Sequence, residues 1–169
     1  MRLGAEFFDR DCLEVAPELL GKLIVHRSAD GSEVRLRITE TEAYRGEEDT
    51  ACHAHRGRTP RTKLLYGPSG IFYIYLCYGM HWLMNVITGP DGFPQGVLIR
   101  ACEGFEGPGK LTKKLGVTGK FNSLSAVTCP DLWIEDDGTP VRYTTDRRVG
   151  IGYASEEDQA KPWRFKLER

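Results

Sequence analysis

The chain has 169 residues, 40% hydrophobic and 28% charged, with a formal net charge of −1. That is enough for one domain, residues 1–169, with a substantial core, and its longest apolar run, IFYIYLCY, falls far short of a membrane span. The small net charge excludes a uniformly basic protein, but the charge is uneven: residues 50–120 hold 9 basic and 3 acidic side chains, whereas residues 1–49 hold 7 and 12.

The opening MRLGAEFFDRDCLE has acidic residues where a signal peptide needs an apolar core, so a cytoplasmic location is expected, with access to the nucleoid. Asp11 is placed to cap a short helix over LEVAPELLG that Gly21 ends, with Pro17 making its middle irregular. KLIVHRS and EVRLRITETEAY flank the turn ADGS and predict an antiparallel hairpin. Strict alternation along the second strand puts Val34, Leu36, Ile38, Glu40, Glu42 and Tyr44 on one face, so two carboxylates continue an apolar stripe.

From Arg45 to Gly70 the pattern disappears, and a long unpatterned connection in a compact domain is usually functional. IFYIYLCY then reads as a buried strand, YGMH as a turn and WLMNVIT as the partner strand, which sets aromatic residues at a hairpin tip. GVLIRACE predicts a further strand, and GPGKLTKKLGV a helix with Pro108 near its start and Gly116 past its end. Short strands are expected near LWIED, RVGIGY and PWRFKL. Antiparallel strands with a few short helices make the fold class α+β, one mixed domain around a mainly antiparallel sheet.

The five cysteines include no CxxC pair and read as reduced thiols. Cys52, His53 and His55 form a C-H-x-H spacing without a second cluster, so no metal centre is expected. Glu42, in line with apolar residues, sits at a core edge where desolvation raises its pKa and suits it to proton abstraction. Glu40 is assigned a structural pairing with a basic neighbour deeper in the fold. Near Glu42 in the pattern are Tyr44, His53 and the tyrosines 73, 75 and 78.

Each tyrosine alone is most simply a core strand residue, yet flat rings beside a carboxylate are what an enzyme acting on an extruded nucleobase requires. Tyr78 precedes Gly79 at the predicted tip, where a ring can wedge between bases. RGRTPR, with Arg61, and the helix start GPGK, with Lys110, are candidate phosphate contacts. Neither is a nucleotide-binding P-loop, and no serine or cysteine nucleophile has partners in the pattern.

Taken in order, ETEAY, His53, RTPR, YIYLCYGMHWLMN, GVLIRACE, GPGKL and RVGIGY resemble the alkyladenine (methylpurine) DNA glycosylase family over nearly the whole chain. The resemblance implies a single domain with a curved sheet and a protruding hairpin. It implies that Glu42 activates the attacking water, that Arg100 helps position the water and the target backbone, and that Tyr44, His53, Tyr75 and Asn85 line the base pocket. Tyr78 would intercalate, and Arg61 and Lys110 would meet the DNA backbone. No cofactor and no metal is implied, no Schiff-base lysine stands in the pocket set, and the expected partner is damaged double-stranded DNA bound by a monomer. Where relatives carry Asn after the arginine of RTPR, this sequence has Thr62. A non-catalytic module that stacks bases would explain the aromatics but not the carboxylate, and an enzyme for free nucleosides would not need Tyr78.

Overall fold

The computed structural model describes residues 1–168. In chain order the elements are α1 (Ala5–Phe8), α2 (Cys12–Leu19), β1 (Leu23–Arg27), β2 (Glu33–Arg45), β3 (Phe72–Cys77), β4 (His81–Ile87), β5 (Gln95–Cys102), β6 (Phe105–Glu106), α3 (Pro108–Leu115), β7 (Leu132–Glu135), β8 (Tyr143–Asp146), α4 (Glu156–Ala160) and β9 (Arg164–Leu167). The strands join in the order β3-β4-β5-β2-β1-β7, with β6 on β5 and the pair β8–β9 on β2. The α+β class is as expected, with a curled antiparallel sheet and few short helices.

Local chemistry accounts for most boundaries. Asp11 caps α2 by accepting from the Leu13 amide at 2.9 Å, and Gly21 follows the helix in a left-handed conformation (φ 81°). β1 and β2 pair from Leu23↔Arg37 to Arg27↔Glu33 around the Asp30–Gly31 turn. Pro108 opens α3, and Gly116 at φ 77° closes it. Gly109 is required where it stands, because a Cβ there would lie 2.9 Å from the His81 side chain; Thr112 Oγ1 also donates to the Trp82 carbonyl at 2.8 Å. These contacts brace the tip end of the β3–β4 hairpin against α3.

β2 departs from strict alternation. Its pairing with β5 shifts between Ile38 and Glu40 and again between Glu40 and Thr41, so each strand carries one extra residue, at Thr39 on β2 and at Arg100 on β5. Leu36 and Ile38 enter the main core with α2, but beyond the shift the core-facing residues are Ala43 and Thr41, whose hydroxyl donates to Ala16 of α2. Glu40, Glu42 and Tyr44 therefore do not continue the apolar stripe of Val34, Leu36 and Ile38. They occupy the opposite face, because a bulge changes which side of the strand each later residue takes.

RVGIGY is also not a strand. Gly150 adopts φ 73°, and the Val149 amide is directed to a carboxylate on β2, not to a neighbouring strand. The strand in this region is β8, which ends at Asp146, two residues before Arg148. Among the described residues, no helix is long and apolar enough to cross a membrane.

Candidate active site

The face opposite the main core carries the polar and aromatic residues. One cross-strand row runs Tyr73–Asn85–Leu98–Glu42–Arg164 over β3, β4, β5, β2 and β9. With neighbouring strands about 4.8 Å apart, Tyr73 and Glu42 are roughly 14 Å from each other along the row. A small cavity lies over this face, about 50 Å³, lined by Tyr44, Ala51, Cys52, His53, Leu65, Tyr73, Tyr75, Asn85, Gly96 and Tyr153. Gly96 pairs with Tyr44, and a Cβ there would be 3.1 Å from the Val86 carbonyl, so the absent side chain helps to keep the slot open.

The rings are mutually tilted. His53 and Tyr75 have centroids 4.8 Å apart, and Tyr73 and Tyr75 5.3 Å. His53 Nδ1 meets the Tyr73 hydroxyl at 2.9 Å. Burial, reinforced by the nearby charges of Arg61 and Arg56, holds the His53 pKa down at about 4, so its ring is neutral at pH 7. Burial also raises the Tyr44, Tyr73 and Tyr75 hydroxyls above their ordinary value. Asn85 donates through Nδ2 to the Tyr73 carbonyl at 3.1 Å, which fixes its amide at the wall.

Glu42 is fully buried. One carboxylate oxygen accepts from the Tyr44 hydroxyl at 2.8 Å and the other from the Val149 amide at 2.7 Å. Burial raises its pKa; the Val149 hydrogen bond, the Arg100 charge, the Tyr44 hydroxyl and the Arg148 charge oppose that rise without cancelling it. Arg100 Nε lies 3.9 Å from both Glu42 Oε2 and Glu40 Oε2. Glu40 is half-buried, and its carboxylate also lies 3.4 Å from Arg164 of β9, so its basic partners are lateral neighbours and not deeper ones.

Tyr44, His53, Tyr75 and Asn85 are thus brought to one cavity, and Tyr44 links that cavity to Glu42 and Arg100. Tyr78 is at the hairpin tip, away from the cavity, 92% exposed and at φ 52°. A left-handed backbone costs a non-glycine residue roughly 1–2 kcal/mol. Lys110 is exposed in the first turn of α3, beside the hairpin. Arg61 is exposed but folded back, its guanidinium 4.7 Å from the centre of the Tyr75 ring.

Tyr73 and Tyr153 line the slot without having been assigned to it from the sequence. Tyr73 was visible as one of the hairpin aromatics, whereas Tyr153 belongs to the loop expected to be a strand; its hydroxyl donates to the Ala51 carbonyl at 2.8 Å. Thr62 closes its own loop, accepting from the Thr59 amide at 2.7 Å and donating to the Gly57 carbonyl at 3.0 Å. Cys52, His53 and His55 do not converge: His53 is bonded to Tyr73, and His55 Nδ1 meets the Glu47 carbonyl at 2.7 Å. A larger hollow of about 1020 Å³ lies between the N-terminal residues and Asp136–Tyr143, but it has neither a ring cluster nor a buried carboxylate.

A slot of tilted aromatic rings joined to a fully buried carboxylate, with an exposed ring on a hairpin tip, is an arrangement suited to handling a planar heterocycle. The family described as methylpurine-DNA glycosylase (MPG) matches residues 6–107 and 105–169, and the chain belongs to that family. Relatives named "Putative 3-methyladenine DNA glycosylase" are 43% identical in Anaeromyxobacter sp. (strain Fw109-5), over 99% of this chain and 90% of the relative. One in Desulfitobacterium hafniense (strain Y51) is 42% identical over 99% and 95%, and one in Methanocella arvoryzae 40% over 96% and 90%.

Proposed function

We propose that this protein is a monofunctional DNA repair glycosylase that takes alkylated or deaminated purines out of double-stranded DNA and hydrolyses the N-glycosidic bond, leaving an abasic site. The observation that carries this reading is the buried Glu42 carboxylate, bonded to a tyrosine that lines the aromatic slot. The flipped purine would stack among Tyr44, His53, Tyr73 and Tyr75, with Asn85 at the wall disfavouring the exocyclic amine of guanine. The slot of about 50 Å³ holds a water or two but not a purine, so it must widen as the base enters. A neighbouring cleft of about 590 Å³ that shares Cys52, His53 and Tyr153 with it, and that includes Arg61, offers the room.

In the reaction the attacking water sits between Glu42 Oε2 and Arg100 Nε, whose 3.9 Å separation is too long for a direct bond and suits a bridging molecule. Glu42 accepts the water proton as oxygen bonds to the sugar carbon, and the electron pair of the C–N bond leaves with the base. An N-alkylated purine already carries positive charge and leaves as a neutral molecule, attracted meanwhile to the ring faces. A neutral lesion such as hypoxanthine takes up a proton as it leaves. Tyr78 would wedge into the vacated stack, a use that a free-nucleoside enzyme has no need of.

The test is release of free base from duplexes carrying methylated purines, hypoxanthine or ethenoadenine. The wild-type protein should excise at least one class, and Glu42→Gln should bind the same duplex while losing about a hundredfold or more in single-turnover rate. Because the active form is the carboxylate and its pKa is raised, the wild-type rate should fall as pH drops through a value above that of an ordinary glutamate. Normal excision by Glu42→Gln rejects the reading.

A further inference from the structure

A second charged pair lies beside Glu42, and the mechanism above does not use it. Arg148 and Asp49 are 99 residues apart in sequence, yet they form a two-point ion pair at 2.7 and 3.0 Å, with side chains 0% and 1% exposed. A buried pair of this kind seldom stabilises a fold more than apolar residues of the same size would. The contacts of Arg148 instead fall on the residues that follow Glu42 in its strand. Its Nη1 donates to the carbonyl of Ala43, the residue after Glu42, at 3.0 Å, and its guanidinium is 5.0 Å from the Tyr44 ring. The next residue in the chain, Val149, donates its amide to Glu42 Oε2.

The rest of the guanidinium ties this arrangement to the frame. Nη2 donates to the Asp158 carbonyl of α4 at 3.2 Å, and the Trp163 ring lies 4.9 Å from the guanidinium. Asp49 in turn accepts from the Arg45 and Ala51 amides at 2.9 and 3.1 Å, which joins the end of β2 to the start of the loop that carries His53. Four segments of the site region, β2, the loop with Asp49, α4 and the stretch before β9, thus meet at one planar cation. The flat, forked shape is needed for this, because a lysine has the charge without the geometry.

We propose that Arg148, held by Asp49, is a positioning residue for Glu42: it pins the Val149 amide on the carboxylate and keeps a fixed buried positive charge beside it. The inference rests on the reading of Glu42 as the base. The groups facing Glu42 are Tyr44 and Glu40 from its own strand, Arg100 from β5, Arg164 from β9 by way of Glu40, and Arg148 and Tyr153 from the C-terminal loops. Both contributions of Arg148, the amide it pins and its own charge, favour the ionised carboxylate against the desolvation that opposes it. Their loss therefore raises the pH at which Glu42 gives up its proton.

Removing Arg148 alone would leave the Asp49 carboxylate buried without its countercharge, so the chosen variant is Asp49→Asn with Arg148→Met, which takes away both charges and leaves a flexible apolar side chain near Tyr44 and Trp163. Carboxyl carbons of glutamate-labelled protein are titrated by NMR, with the Glu42 resonance identified by its absence in Glu42→Gln. In the folded double variant the Glu42 midpoint should rise by about one pH unit or more. On methylated duplex DNA the acid limb of the single-turnover excision rate should move with it, about tenfold in rate per unit on that limb.

Arg148→Lys keeps the charge but loses the fork, and should lower the excision plateau while moving the midpoint less. If the double variant does not fold, this variant decides alone, and an unchanged midpoint with an unchanged plateau overturns the proposal. A folded double variant whose Glu42 titrates as in the wild type also overturns it, whatever the activity. If the midpoint moves but Glu42→Gln excises normally, the positioning device stands and the assignment of the base fails.

Discussion

Replacing Tyr78 with alanine separates the proposed wedge from the rest of the molecule, because the ring is 92% exposed and the fold does not depend on it. The melting temperature should scarcely move, as exposed substitutions usually change stability by within about 0.5 kcal/mol. The effect belongs to the complex with DNA. A tyrosine side chain can bury about 150 Å² or more, worth roughly 3–4 kcal/mol at about 25 cal/mol per Å² if wholly enclosed; partial insertion into the vacated stack halves this to about 2 kcal/mol. That is about a thirtyfold loss in the flipped population. A fluorescent base analogue beside the lesion reads this population directly. The loss should be greatest for a well-paired lesion and smaller opposite a mismatch, where less stacking must be broken. Tyr78→Phe should keep most of the function, since the ring and not the hydroxyl does the filling. An unchanged flipped fraction in Tyr78→Ala would end this assignment and leave the left-handed backbone at φ 52° unexplained.

Two further outcomes concern stability and binding. A raised folded-state pKa means that the folded protein keeps the Glu42 proton to higher pH than the unfolded chain, whose glutamates release it near 4.5, so stability falls as pH rises from there through the folded value. Glu42→Gln should therefore melt higher than wild type at pH 8, by about 2–4 °C for each kcal/mol relieved, with the gap closing below pH 4.5; a lower melting point at pH 8 would contradict the desolvation argument. Binding to any duplex should weaken steeply with salt, and Lys110→Ala should weaken lesion and undamaged duplex about alike. Arg61→Ala, which also removes the guanidinium over Tyr75, should weaken the lesion duplex more; equal losses in a competition titration would reduce Arg61 to a phosphate contact.

The elements bounded by turn chemistry were legible from sequence: the Asp30–Gly31 turn, the Tyr78–Gly79 tip, and α3 between Pro108 and Gly116. The tilt of β2 toward the site was not, since a bulge at Thr39 leaves the composition of the strand unaltered and depends on its counterpart at Arg100 across the sheet. Reading strict alternation placed Glu42 beside the apolar stripe and yet led to a buried carboxylate. The burial is real, but it comes from Tyr44 and the loop at Val149 and not from the main core. Arg148 and Asp49 were invisible for a related reason. Charged residues are ordinarily solvated, and nothing in a linear sequence tells a pair joined across 99 positions from two surface charges.

The matched bulges also divide β2 into two stretches with separate duties. Upstream of Thr39, substitutions at Leu36 or Ile38 are felt in the packing with α2; downstream, substitutions at Glu42 or Tyr44 are felt at the slot. Deleting Thr39 alone would remove the bulge and still leave Ile38, Thr41 and Ala43 alternating on the core face; deleting Thr41, in the regular stretch beyond it, would instead send Glu42 toward the core and Ala43 to the slot. A length change in that regular stretch is therefore a larger insult than most changes of residue.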